Sequence, residues 1–205
     1  MSNNNIRSFV GLPIPEPLLS QLSAVASTLS SLDNQRLSWV VEQNYHVTLV
    51  FLGEQSPQWL DDFAQALDEE LYFEPQMLSI SRILPFPESS PKLLAAMVDK
   101  NDSLKMLQSD VKQIASKLGF QAEKRKFVPH ITLARKFPRH GHMSIPPAIE
   151  KIEAEANELI VYESQLHQHG AQYFPLYGYE ALDYLNQADI ENYEYSADAP
   201  QKALS

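Results

Sequence analysis

The chain contains no cysteine, which excludes a disulfide framework, a thiolate metal centre and a thiol nucleophile. It has no apolar run near the roughly 20 residues that a membrane-spanning helix needs. Its polar start, Met1-Ser2-Asn3-Asn4-Asn5, lacks the charged-then-apolar layout of a secretory signal, so a cytoplasmic location without membrane contact is expected. Glycine is scarce, six in 205 residues, and no Gly-rich phosphate loop is present. Cations are outnumbered: 16 Lys and Arg against 26 Asp and Glu leave a formal net charge of −10. That balance argues against a protein that wraps nucleic acid along a broad basic footprint. Threonine is also scarce, with only Thr28, Thr48 and Thr132.

Two of those three threonines stand two places after a histidine. His46-Val47-Thr48-Leu49 and His130-Ile131-Thr132-Leu133 are both His-x-Thr-Leu with a β-branched residue at x. Six histidines and three threonines in 205 positions give about 0.09 such pairs by chance, so two copies mark a functional repeat. A hydrophobic content of 44% and a charged content of 20% place the chain among globular proteins, as one large domain or two small intimate lobes.

The pattern along the chain alternates strands and helices. Arg7 to Leu12 reads as a first strand, closed by Pro13 and Pro15. Leu18, Leu22, Val25 and Leu29 then recur at helical spacing over about Glu16 to Ser31. A short apolar piece, Leu37 to Val41, precedes the first motif strand, Tyr45 to Leu52, with Gly53 as its stop. Ser56-Pro57 opens a second helix carrying Leu60, Phe63, Leu67 and Leu71. Strands follow at Gln76 to Leu84 and Lys92 to Val98, then a third helix capped by Asp102 and stopped by Gly119. Pro129 enters the second motif strand, which ends near Lys136. A Pro/His-rich loop to Pro147 and strands near Glu155 to Gln165 and Gln172 to Leu182 complete the expected fold, residues 1–185. From Asn186 the chain is acidic and small-residue-rich, the signature of a frayed tail over 186–205. The expected class is α+β, with mainly antiparallel sheet and outer helices. The motif strands lie 84 residues apart, each inside its own strand-helix block. This suggests two pseudo-symmetric lobes.

In a strand, residues i and i+2 project from one face about 6.6 Å apart. His46 and Thr48 therefore point together, as do His130 and Thr132, while Val47, Leu49 and Phe51 and also Ile131 and Leu133 face a core. Six of the sixteen cations, Lys124, Arg125, Lys126, Arg135, Lys136 and Arg139, lie between Lys124 and His142 without a carboxylate. The remainder carries ten cations against 26 acids, a balance of −16. A local positive funnel on an acidic body suits a small anionic end group. Two imidazoles with ordinary pKa values of about 6.5 can serve as acid and base in an in-line displacement at a cyclic phosphodiester. The hydroxyls of Thr48 and Thr132 can donate to its non-bridging oxygens. Arg135 can add a fixed charge, but strict alternation sets it on the opposite face from His130. A bulge or a strand end near Ala134 would be needed to bring it round, and the sequence shows neither. The remaining histidines form two His-x-His pairs, His140/His142 and His167/His169. Neither has a third ligand in its segment, so no metal site is expected.

These residues carry a resemblance. The two tetrads, the opening Arg7-Ser8-Phe9-Val10-Gly11-Leu12, the stretch Pro129 to Arg135 and the late Tyr162-Glu163-Ser164-Gln165-Leu166 resemble the two-histidine phosphoesterase superfamily. Within it the likeness is to the bacterial RNA 2',3'-cyclic phosphodiesterases, long called 2'-5' RNA ligases, over about residues 6–180. Ser8 and Gly11 are departures in the opening strand, away from the motif. The resemblance implies a bilobal fold with one histidine from each lobe facing a central groove, and no cofactor. It implies His46 as proton donor to the leaving oxygen and His130 as proton acceptor from water, with Thr48, Thr132 and Arg135 binding the phosphate. The implied reaction converts RNA 2',3'-cyclic phosphate ends to 2'-phosphomonoesters. The partners expected are RNA with such ends or small cyclic nucleotides, on a monomer. Alternatives are 2'-5' ligation at the same ends, a small-nucleotide or ADP-ribose cyclic phosphate substrate, and a non-catalytic RNA-end or nucleotide binder. Phe9, Tyr45 and Phe51 are the candidate base-stacking aromatics.

Overall fold

The structure, a computed structural model, describes residues 4–33, 37–121, 125–137, 149–167 and 170–182. The strands in chain order are β1 (Ile6–Pro13), β2 (Ser38–Trp39), β3 (His46–Gln55), β4 (Gln76–Phe86), β5 (Leu93–Val98), β6 (His130–Arg135), β7 (Ile152–Ala156), β8 (Glu158–His167) and β9 (Gly170–Glu180). Three helices join them: α1 (Glu16–Ser31), α2 (Pro57–Glu70) and α3 (Asp102–Lys117). All strands belong to one sheet of order β7-β4-β5-β6-β3-β1-β8-β9, with β2 beside β6. Every pairing is antiparallel. The class is α+β.

The helices form because their apolar residues fall on one stripe. In α1, Leu18, Leu22, Ala26 and Leu29 are buried. In α2 these are Leu60, Phe63, Ala64 and Leu67, and in α3 Leu104, Leu107, Val111, Ile114 and Ala115. All but Ala64 join Val47, Leu49, Ile131 and Leu133 of the motif strands in one hydrophobic cluster. Each fully buried leucine contributes about 2 kcal/mol. The helices thus cover one face of the sheet, and the faces of His46 and His130 remain on the other. Ser56 caps α2, its side chain accepting from the Trp59 N–H at 3.2 Å. For α3 the cap is Asn101, one residue before the expected Asp102. The Asn101 side-chain oxygen accepts from the Leu104 N–H at 3.1 Å, while Asp102 sits in the first turn and pairs with Lys105.

A pseudo-twofold axis organises the sheet. Outward from the centre one half reads β3-β1-β8-β9 and the other β6-β5-β4-β7, and the units β1-α1-β3 and β5-α3-β6 repeat the same strand-helix-strand path. The halves meet at the single registered pair Val47↔Ile131, the β-branched x residues of the two tetrads. The two lobes are therefore halves of one continuous sheet, parting into a groove on either side of that pair.

Several boundaries differ from the expectation. Gly53 does not stop the first motif strand. It adopts a positive φ of 72°, open to glycine at no steric cost, and β3 continues to Gln55. The single strand expected near Glu155 to Gln165 is two, β7 and β8, broken at Asn157. The stretch Leu37 to Val41 supplies only the two residues of β2 before a 3-10 turn at Glu42–Asn44. The predicted tail from Asn186 and most of the Pro/His-rich loop lie outside the described residues. No helix among the described residues is long and apolar enough to cross a membrane.

Candidate active site

Because β3 and β6 run antiparallel through Val47↔Ile131, Thr48 lies next to His130 and Thr132 next to His46. The four polar residues share one face, related by the dyad between Val47 and Ile131. Those two residues are fully buried beneath them.

Two matching bulges redirect the side chains beyond the tetrads. On β3, Val10 pairs with Val50 and Gly11 with Thr48, leaving Leu49 unpaired. On β6, Leu94 pairs with Ala134 and Ala95 with Thr132, leaving Leu133 unpaired. Each tetrad's leucine is thus the extra residue of a bulge, and the side-chain alternation shifts by one beyond it. Leu49 and Val50 are buried consecutively, as are Leu133 and Ala134. Arg135 consequently returns to the histidine face, where it borders the groove. The bulge lies one residue before Ala134. The same shift corrects the expectation for Phe51, which does not join Val47 and Leu49 in the core but is 40% exposed and lines the groove. Phe51 and Arg135 occupy equivalent positions in the two halves.

Both imidazoles are held in the same way. The His46 Nδ1–H donates to the Asn44 carbonyl and the His130 Nδ1–H to the Val128 carbonyl, each at 2.8 Å and each two residues upstream. Occupying Nδ1 fixes the tautomer and leaves Nε2 for chemistry. The His46 Nε2 lies 3.0 Å from the Thr48 hydroxyl. Phe9 packs on the His46 ring at 4.7 Å between centroids, and Tyr173 meets it edge-on at 5.1 Å. Phe86 packs on His130 at 4.6 Å. Burial first, and then the charges of Arg135 and His130, push the His46 pKa down to about 4 against the upward pull of the Asn44 carbonyl. His130 is lowered as well, by burial and then Arg135, with the Val128 carbonyl opposing.

A groove of about 430 Å³ contains His46, Thr48, His130, Thr132 and Arg135 together. Its far wall is the β8-β9 hairpin, through Ser164, His167, Ala171 and Tyr173. Arg135 Nη2 donates to the Tyr173 hydroxyl at 3.1 Å, and the Asn44 amide donates to the Ala171 carbonyl at 2.7 Å. Asn44 thus ties the wall to the clamp on His46. Of the candidate stacking aromatics, Phe9 lies buried beneath His46, Tyr45 is buried in the core, and only Phe51 is open to a ligand. Arg7 sits over the Phe51 ring at 4.5 Å and borders the same groove. His140, His142 and His169 lie outside the described residues, so neither His-x-His pair is described in full. Lys124 and Arg139 of the basic island also lie outside. Among the described residues no group of three or more His, Cys, Asp or Glu could hold a metal ion. Tyr173 and Asn44 escaped sequence reading, and Gly11, expected to lie away from the motif, pairs with Thr48 instead. A Cβ on Gly11 would stand 3.0 Å from the Val47 carbonyl oxygen and 3.4 Å from the His46 Cδ2. Only its place opposite Thr48 in the sheet explains it.

Residues 21–170 match the family model of the 2'-5' RNA ligase superfamily. The RNA 2',3'-cyclic phosphodiesterase of Bacillus subtilis is 30% identical over 168 residues, covering 78% of this chain and 88% of that protein. That of Thermotoga maritima is 29% identical over 181 residues, covering 84% and 94%. Among solved structures, E. coli LigT complexed with 3'-AMP superposes with a TM-score of 0.75 at 19% identity, over 88% of this chain and all of the other. TT0787 of Thermus thermophilus gives 0.71 at 21%, over 85% and 97%. These superpositions share the curled antiparallel sheet. The chain belongs to the 2'-5' RNA ligase superfamily and, within it, to the RNA 2',3'-cyclic phosphodiesterase family.

Proposed function

We propose that the protein hydrolyses RNA 2',3'-cyclic phosphate ends to 2'-phosphomonoesters by acid/base catalysis from its two motif histidines. The observation that carries this reading is the dyad: two imidazoles from opposite halves of the sheet, each with Nδ1 fixed on a backbone carbonyl, in one groove with two threonine hydroxyls and a guanidinium. His130 Nε2 takes a proton from water as its oxygen bonds to phosphorus, and His46 Nε2–H gives a proton to the ribose 3'-oxygen as its bond to phosphorus breaks. Thr48 and Thr132 donate to the non-bridging oxygens, where charge builds, and Arg135 offsets that charge. His46 is neutral in the free protein at pH 7, so its proton arrives when the substrate's negative charge raises its pKa. The order of roles rests on the family resemblance. The relatives named RNA 2',3'-cyclic phosphodiesterase support the substrate class.

Incubation with an oligonucleotide ending in a 2',3'-cyclic phosphate, in chelator across pH 5 to 9, tests the reading. Release of a 2'-phosphomonoester is expected, with His46→Ala and His130→Ala each lowering turnover roughly 10²–10⁴-fold, the range for one acid/base group. No product at any pH sinks the proposal, and full activity in either variant removes that histidine from it.

A further inference from the structure

Beyond Thr48 and His130 the groove opens into a second chamber of about 630 Å³ between α3 and β3, which shares Thr48, Phe51, Leu93 and His130 with the first. Its lining differs in kind. Phe51, Phe86 and Phe127 provide aromatic surface, and Lys92, Lys112, Arg125 and Lys126 provide four cations, with no carboxylate among the lining residues. On a chain of net charge −10, this cluster of basic lining residues is a concentrated positive site. The ion pairs among the described residues, Lys105–Asp102, Lys117–Glu70 and Lys151–Glu153, engage neither Lys92, Lys112 nor Lys126. Aromatic faces for bases beside cations for phosphates are what a single-stranded nucleic acid requires, and the volume suits a nucleotide-sized ligand.

We infer that this chamber binds a nucleotide of the RNA strand next to the reacting phosphate, so that the protein favours oligonucleotide ends over cyclic mononucleotides. The inference rests on the proposed hydrolysis and names what that site prefers. A nucleotide phosphate approaches Lys112 and Lys126 while its base lies against Phe127 or Phe51, and the strand continues past Thr48 into the catalytic groove. The catalytic groove takes the cyclic phosphate itself. A mononucleotide fills it and leaves the second chamber empty.

Two measurements test this. The first compares kcat/KM for a cyclic mononucleotide and for an oligonucleotide with the same cyclic end, in the wild type and in Lys112→Glu/Lys126→Glu. The wild type is expected to favour the oligonucleotide at least tenfold, and the double variant to lose at least tenfold more on the oligonucleotide than on the mononucleotide. The second follows binding of an oligonucleotide with a 3'-phosphate end by anisotropy at several salt concentrations, a readout independent of turnover. Each Lys→Gln change at Lys112 or Lys126 is expected to reduce the slope of log K against log salt by about 0.7, one single-strand phosphate contact. Equal losses on both substrates, or an unchanged salt slope, overturn the chamber and leave the hydrolysis reading intact. Absence of turnover with a salt slope that falls as expected overturns the hydrolysis reading and leaves the chamber.

Discussion

Sulfate binding should strengthen steeply as pH falls, and the origin of the effect is one ring. His46 is held at about 4 against an ordinary 6.5, a difference of about 3 kcal/mol between its charged and neutral forms. A tetrahedral dianion between His46 and Thr48 favours the imidazolium, so binding draws a proton from solution. If the bound ring regains its ordinary value, affinity rises roughly eightfold from pH 7 to pH 5.5, with about 0.7 of a proton taken up at pH 6. That range stays above the sequence isoelectric point of about 5.0, and sulfate stays dianionic throughout it. The sign for stability is opposite in the free protein. A depressed histidine makes the unfolded chain bind the proton first, so stability falls as pH drops from 6.5 towards 4, and sulfate restores it. Calorimetry in buffers of different ionisation enthalpy reads the proton count, and imidazole NMR signals identify the ring. His46→Asn should reduce the pH slope to the remainder contributed by His130, whose ring is lowered in the same direction. A pH-independent affinity, or an undiminished slope in His46→Asn, refutes the reasoning.

Tyr173→Phe keeps the ring edge on His46 but removes the hydroxyl that accepts from Arg135. Steady-state kinetics on a cyclic-phosphate substrate should show KM raised about 2–10-fold, the worth of one modest hydrogen bond, and an unchanged KM would show that Arg135 is positioned without it. Gly11→Ala puts a Cβ 3.0 Å from the Val47 carbonyl oxygen, so the motif strand must shift. A stability loss of about 1–3 kcal/mol by urea unfolding and a fall in kcat are expected, and full activity at unchanged stability would show that the strand yields freely.

Much of this molecule is legible from local sequence because its elements follow local rules. Leu18, Leu22 and Leu29 mark the buried stripe of α1, Ser56-Pro57 marks the start of α2, and the tetrads mark two strands whose histidines face one groove. What escapes depends on pairing across the sheet. No residue type announces that Leu49 and Leu133 are bulged, because a leucine followed by a small or β-branched residue is ordinary core sequence. The bulge appears only when β3 is aligned with β1, and β6 with β5. Strict alternation puts Arg135 and Phe51 on the wrong face for that single reason. Asn44 and Val128 act on the histidines through backbone carbonyls, which leave no trace in side-chain identity. Tyr173 arrives from a strand 38 residues beyond Arg135. Asp102 and Asn101 are both good caps, and neighbouring candidates of equal chemistry differ by one residue in the structure.

A dyad that relates two identical His/Thr pairs raises a physical question, because an acid and a base must differ by one proton. Two features of the site break the equivalence. Arg135 stands where the other half has Phe51 with Arg7 over its ring, so the two sides present their charge differently, and His46 is enclosed by Phe9 and Tyr173 while His130 meets Phe86. A third feature limits the proton count: the charge of His130 is among the causes that lower His46, so protonating one ring disfavours protonating the other. With both rings neutral in the free protein at pH 7, the negative charge of a bound phosphodiester suffices to recruit one proton, and the repulsion across the Val47↔Ile131 pair opposes a second. The single-proton state is the one that the proposed displacement needs, with one ring ready to give and the other ready to receive. The close approach of the two motif strands thereby sets the ionisation of the pair as well as its geometry.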